Sequence, residues 1–208
     1  MRVPSSPKTY TYLALGDSYT IGEKVAAEEN FPSQTVSLLG KKGRKVAKPR
    51  IIAKTGWTTG ELQAALNKAR LRKQYDFVTL LIGVNNQYRG LKVADYIPEF
   101  EHLLKQAIRL AGNDTSHVVV LSIPDWGVTP FAEGRDRRQI AIDIDAYNAA
   151  NRLLAEKYKV HYINITPATR KATANASLLA EDGLHPSGKA YAEWAASVCQ
   201  YFLNKTEK

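Results

Sequence analysis

Five short apolar runs, each followed by a stretch whose apolar residues recur at helical spacing, constrain this 208-residue chain more than any other feature. The runs are Tyr10 to Leu15 (YTYLAL), Val46 to Lys54, Tyr75 to Ile82, His117 to Ile123 and Val160 to Ile165. Each is short, rich in β-branched or aromatic residues, or bounded by turn residues, so each reads as a strand. FVTLLI and HVVVLSI are apolar almost without interruption, the pattern of a strand covered on both faces. Between the runs, Phe31 to Gly40 reads as a short helix. Thr58 and Glu61 have capping-box spacing ahead of Leu62, Ala65, Leu66 and Ala69. Further helices are expected from Val93 to Ala111, from about Asp136 to Tyr158, and from Ser187 onward, where Tyr191, Trp194, Ala195, Val198 and Phe202 form one stripe. Strands separated by helices of this length need crossover connections, so the sheet is expected to be parallel with helices on both faces. The expectation is one doubly wound α/β domain over residues 1–208, with strand order 2-1-3-4-5.

Composition narrows the class of protein. Hydrophobic residues at 44% and charged residues at 24% are ordinary for a globular domain and exclude a disordered or collagen-like chain. The longest apolar run, Phe77 to Val84, is far short of the ~18 residues of a membrane span. A single cysteine, Cys199, excludes an intramolecular disulfide framework or a cysteine-rich metal site. Met1 to Thr9 is polar with two prolines, and no apolar signal segment follows. That fits a cytoplasmic chain, or one whose targeting segment was removed ahead of this numbering. The oligomeric state is left open.

The net charge of +9 is unevenly spread. Residues 1–75 carry 14 basic and 5 acidic side chains, whereas the remainder is balanced. Seven Lys or Arg and no acid lie between Lys41 and Lys54. Such a segment is either an anion-attracting patch or a solvated face. No nucleic-acid motif accompanies it, and a nucleic-acid partner is not expected.

Four polar stretches follow strands or sit in the last loop: Gly16-Asp17-Ser18, Thr55-Gly56-Trp57, Gly83-Val84-Asn85-Asn86 and Asp182-Gly183-Leu184-His185. In a parallel sheet all four reach the rim at the carboxyl ends of the strands, where ligands bind. The residue types fit acyl transfer. A serine hydroxyl such as Ser18 needs a base. His185 is suited to that task. Asp182, three residues earlier, is placed to orient the ring, and Asp125, after the fourth strand, is the competing carboxylate. The backbone N–H groups of Ser18 and Gly56 and the amide of Asn85 are candidate donors to an oxyanion. His102, His117 and His161 have no metal-ligand spacing, and no metal or other cofactor is expected. Taken singly, these stretches also fit a turn, a helix cap, an Asx turn and a structural histidine. The Gly183 to Lys189 stretch (GLHPSGK) imitates a phosphate-binding loop, but Ala190 stands where a Ser or Thr belongs, and the segment lies at the wrong end of the chain.

GDSYT, the glycine after the second strand, GVNN and DGLH together resemble the four blocks of the SGNH (GDSL-type) hydrolases. The resemblance spans Ser18 to His185. It implies a flavodoxin-like three-layer fold and metal-independent ester hydrolysis. It also implies a Ser18 nucleophile, Gly56 and Asn85 as oxyanion donors, and a triad completed by Asp182 and His185. The sequence departs from the family at Tyr19, usually leucine, and at Asn86, usually aspartate. The departures bear on the floor of the pocket and on a supporting bond near Asn85. Trp57, Trp126 and Phe131 are expected to line the substrate pocket, with Arg135, Arg137 and Arg138 nearby. The expected substrate is a short or medium acyl ester, a lysophospholipid or an acetylated sugar. The rival readings are an acyltransferase using the same site and a non-catalytic anion- or glycan-binding domain.

Overall fold

A computed structural model describes residues 8–206; most of the polar amino-terminal stretch noted above lies outside them. Five parallel strands, β1 (Tyr12–Asp17), β2 (Arg50–Lys54), β3 (Phe77–Leu81), β4 (Val118–Leu121) and β5 (His161–Ile163), form one sheet in the order 2-1-3-4-5. The order and the parallel sense agree with the sequence expectation. The helices are α1 (Ser18–Ile21), α2 (Phe31–Lys41), α3 (Thr59–Lys68), α4 (Val84–Tyr88), α5 (Val93–Leu110), α6 (Arg137–Lys157), α7 (Thr166–Arg170) and α8 (Gly188–Thr206). Helices α2 and α8 pack on each other, while α3, α5 and α6 pack in series, which sandwiches the sheet.

The central strands β1, β3 and β4 are buried at every position, as their largely apolar sequences require, with Asp17 and Thr79 the polar exceptions. Helix α5 buries Tyr96, Phe100, Leu103, Leu104 and Ala107 at helical spacing. Helix α8 sends Phe202 against Phe77, with ring centroids 4.1 Å apart. Asn30 caps α2 by accepting from Ser33 N at 2.8 Å, and Asp136 caps α6 by accepting from Gln139 N at 3.0 Å.

Two boundaries differ from expectation in ways that matter for the site. Strand β1 runs through Gly16 and Asp17, which keep register with Ala53 and Lys54, so Ser18 opens a helix directly. Strand β2 begins only at Arg50. Pro49 has no N–H to give to a ladder, and Val46 makes an isolated bridge to Tyr10 instead. No helix among the described residues is long and apolar enough to cross a membrane.

Candidate active site

The carboxyl ends of β1, β2 and β3 and the turn before α8 converge on one crevice of about 150 Å3. It is lined by Ser18, Tyr19, Thr55, Gly56, Val84, Asn85, Tyr88, Trp126, Phe131, Leu184 and His185. Asp17, the last residue of β1, turns its carboxylate back to accept from Tyr19 N at 3.0 Å and so caps α1. That cap presents Ser18 at the start of the helix, where its side chain is almost fully buried.

His185 Nε2 lies 3.0 Å from Ser18 Oγ, although the residues are 167 positions apart. On the far side of the ring, Nδ1 lies 2.6 Å from Asp182 Oδ2. The other oxygen of Asp182 accepts from the N–H groups of Leu184 and His185, both at 3.0 Å. Burial pushes the Asp182 carboxyl up, but the His185 ring and these two N–H groups outweigh it and hold the group below the usual carboxylate range. An ionised Asp182 therefore keeps a proton on Nδ1 and leaves Nε2 free to accept one from Ser18. The rival carboxylate, Asp125, is engaged elsewhere. Its Oδ1 accepts from Gly127 N at 2.9 Å and its Oδ2 from Arg170 Nε at 2.9 Å, which braces the loop after β4.

Gly56 and Asn85 line the same crevice. Lys54 to Trp57 form a turn closed by Trp57 N donating to Lys54 O at 3.2 Å, and Gly56 sits in it at φ 81°, a conformation that favours glycine. Asn85 Nδ2 donates to Trp57 O at 3.0 Å, which orients the amide and leaves its second N–H unused by that bond. Gly83, at φ 130°, opens α4 where an added Cβ would fall 2.7 Å from the Tyr96 hydroxyl. Arg89, at the end of α4, donates to Gly56 O at 2.6 Å and pairs with Glu61 at 3.2 Å. Asn86 is buried and ties α4 to α3: its Oδ1 accepts from Thr59 N at 3.1 Å and its Nδ2 donates to Thr59 Oγ1 at 2.7 Å. The departure at this position thus leaves a support between the second and third blocks in place.

The expected pocket residues divide. Trp126 and Phe131 line the crevice. Trp57 does not; its backbone carbonyl holds Asn85, and its ring packs against the core instead. Tyr88 completes an aromatic wall with them, with centroids 5.2 Å from Trp126 and 6.1 Å from Phe131, and Arg135 lies 5.9 Å over its ring. Trp126 is held in place by donating from Nε1 to Gln87 Oε1 at 2.7 Å. Arg137 is spent on Thr129 O at 3.0 Å. Tyr88, Gln87 and Arg89 were not singled out from the sequence. Gln87 and Tyr88 share the short helix α4 with Asn85, and Arg89 caps its end.

The remaining histidines stay away from the crevice. His117 Nδ1 sits 2.6 Å from Asp76 O at the amino rim, and His161 stacks on Tyr201 at 3.8 Å. Among the described residues no group of three or more His, Cys, Asp or Glu is arranged to hold a metal ion. The GLHPSGK stretch folds around His185, with Pro186 bridged to Leu179 and Gly188 starting α8, rather than as a loop after β1.

The model of the GDSL-like lipase/acylhydrolase family matches residues 14–193. Among solved structures, a lipase/acylhydrolase from Enterococcus faecalis is similar at 20% identity and a TM-score of 0.76, covering 95% of this chain and 97% of that one. An acetylxylan esterase from Geobacillus stearothermophilus, Axe2, is similar at 17% identity and a TM-score of 0.71, covering 97% and 96%. The psychrotrophic esterase EstA from Pseudoalteromonas sp. has 18% identity and a TM-score of 0.67, covering 94% and 99%. No curated protein matches the sequence.

Proposed function

The chain belongs to the GDSL-like lipase/acylhydrolase family, a family of ester-bond hydrolases, and on that premise we propose that it is a serine esterase working through Ser18, His185 and Asp182. The observation that carries this reading is the continuous path from Ser18 Oγ to His185 Nε2 (3.0 Å) and from Nδ1 to Asp182 Oδ2 (2.6 Å). Ser18 Oγ attacks the ester carbonyl carbon while its proton passes to Nε2. The imidazolium so formed is stabilised by the Asp182 carboxylate. The carbonyl oxygen becomes an oxyanion that the N–H groups of Ser18 and Gly56 and the free N–H of Asn85 receive. Collapse of the tetrahedral intermediate breaks the ester C–O bond, and His185 returns the proton to the leaving alcohol. Water then repeats the sequence on the acyl-enzyme, releasing the acid and free Ser18.

No step calls for a metal ion, since N–H donors receive the negative charge and His185 carries the proton. Activity is expected to survive EDTA. The acyl portion is expected to face the wall of Tyr88, Trp126 and Phe131, which suits an ester with a modest apolar acyl group.

A fluorophosphonate tests this reading. One equivalent is expected to add to the wild type, on Ser18, with parallel loss of p-nitrophenyl acetate hydrolysis. Absence of labelling, with no turnover of any ester, would remove the catalytic reading and favour a binding domain.

A further inference from the structure

We propose that Tyr19 is a partition that closes the acyl pocket and confines the enzyme to short acyl groups, an inference that rests on the esterase reading above. The crevice at Ser18 does not stand alone. Behind it lies a second, smaller cavity between the Pro124–Thr129 loop, the 168–179 segment and α8, with Pro124, Ala172, Leu178, Leu179 and Trp194 among its walls. The two cavities have two lining residues in common, Tyr19 and Leu184. Tyr19 is buried, with its ring tilted against the His185 ring at 5.0 Å between centroids. It stands where the resembling family usually has leucine, so this chain places an aromatic ring at the boundary where a smaller side chain is usual.

The volumes show what the boundary does. The crevice offers about 150 Å3, a size that in other proteins holds one benzene molecule, so it takes roughly six carbon atoms. The inner cavity offers about 20 Å3, room for about one water and no acyl chain. A chain longer than the crevice must turn outward past Phe131 and Tyr88, which are 46% and 44% exposed, and its further methylenes stay in water. Each methylene buried instead is worth about a fourfold gain in binding. Trimming the ring to leucine joins that small cavity, walled in part by Leu178, Leu179 and Trp194, to the crevice and gives about two of those methylenes somewhere dry to go.

The experiment measures kcat/KM for p-nitrophenyl acetate, butyrate, hexanoate, octanoate and decanoate. The wild type is expected to peak at butyrate or hexanoate and to fall at octanoate. In Tyr19→Leu the octanoate-to-butyrate ratio is expected to rise at least tenfold, whatever happens to the absolute rate. Adding Ala172→Leu to that variant refills the chamber and is expected to return the ratio to within threefold of the wild type. Leu184→Ala opens the same boundary from its other member and is expected to shift the ratio in the same direction, which keeps the test intact if Tyr19→Leu does not fold. The partition is overturned if the wild type hydrolyses decanoate as well as butyrate, or if neither opening variant moves the ratio. Fluorophosphonate labelling of each protein separates the two failures. A labelled Ser18 with an unmoved ratio overturns the partition alone. An unlabelled wild type that hydrolyses no ester overturns the esterase reading and the partition with it.

Discussion

The two ends of the sheet hold opposite kinds of polar surface. At the amino rim, Lys48, Arg50, Arg70 and Arg72 line a groove of about 510 Å3 with no carboxylate among its lining residues. At the carboxyl rim the crevice is less than a third as large, yet its Ser18 and His185 are buried and joined to each other. The basic groove holds four of the basic residues of the first third, and its cationic side chains are exposed to solvent. Water and salt weaken exposed charges, whereas a buried hydrogen-bonded chain acts at close to full strength. The difference teaches that charge density in a sequence is a poor guide to a catalytic site. Convergence of polar groups on one apolar, poorly hydrated point is the better guide.

The sharpest way to break the contrast is to remove the nucleophile. Ser18→Ala is expected to lower kcat for p-nitrophenyl acetate by about 10⁶ with an unchanged circular dichroism spectrum. Retention of even a tenth of the activity would mean that the carboxyl rim is not the site. Next in size, Asp182→Asn is expected to cost about 10⁴ in kcat, because the amide leaves the imidazole in the wrong tautomer. Asp125→Asn is expected to leave kcat nearly intact while lowering the melting temperature, since it weakens the bond to Arg170. The opposite ranking would transfer the orienting role to Asp125.

Asn85→Ala is expected to lower kcat by about 10² to 10³ with little change in KM, as fits a group that binds charge in the transition state. Asn86→Ala is expected to act on stability instead, by about 1–3 kcal/mol, because it strips a buried partner from Thr59. Urea titration and steady-state kinetics on the same pair of variants separate the two roles. If Asn86→Ala lost the more in kcat, the oxyanion donor would have to be sought one position further along α4.

Much of this division was legible in the sequence, and the exceptions have physical reasons. Asp182 and His185 sit within one turn, so their spacing already brought them together. Ser18 joined them because a parallel sheet delivers every post-strand loop to one rim. Which way a side chain points was harder to read. Trp57 beside Gly56 read as a pocket residue, but nothing in an isolated Gly-Trp pair distinguishes an inward ring from one packed on the core. Gln87 and Arg89 carry no local sequence signal, because their partners, Trp126 and Gly56, lie 39 and 33 positions away. The ends of β1 and β2 were displaced for local reasons: a glycine and an aspartate can continue a ladder even where they look like a turn, and a proline cannot donate to one.

A pH-dependent effect concerns Asp17, at the junction of β1 and α1. Its Oδ1 accepts from Tyr19 N, its Oδ2 has no partner among the described residues, and burial pushes its pKa up to about 7. The folded state therefore holds this proton more tightly than an unfolded chain, in which Asp titrates near ~3.9. The stability this group allows is full below that value, declines as pH rises towards 7 and is level above it, with a slope of at most about 1.4 kcal/mol per pH unit. Asp17→Asn keeps an oxygen for Tyr19 N and cannot ionise. Relative to the wild type, its urea midpoint is expected to rise between pH 4 and pH 7. Parallel curves for the two proteins would show that Asp17 does not titrate in this range.

The smallest expected effect tests whether the two rims are independent. Strand β1 has six residues, which at about 3.3 Å each puts the rims roughly 20 Å apart. Two unit charges at that distance in water interact by only about 0.2 kcal/mol. At physiological salt the Debye length is about 8 Å, which cuts this by roughly a further tenfold. Reversing two charges in the groove, Arg50→Glu with Arg72→Glu, is therefore expected to change kcat/KM for neutral p-nitrophenyl butyrate by less than about twofold at 0.15 M salt. A tenfold fall in kcat on the neutral ester is far more than screened charges at this separation can produce. It would mean that the rims communicate through the backbone of β1 and β2, and that the basic groove belongs to the machinery at Ser18 rather than lying apart from it.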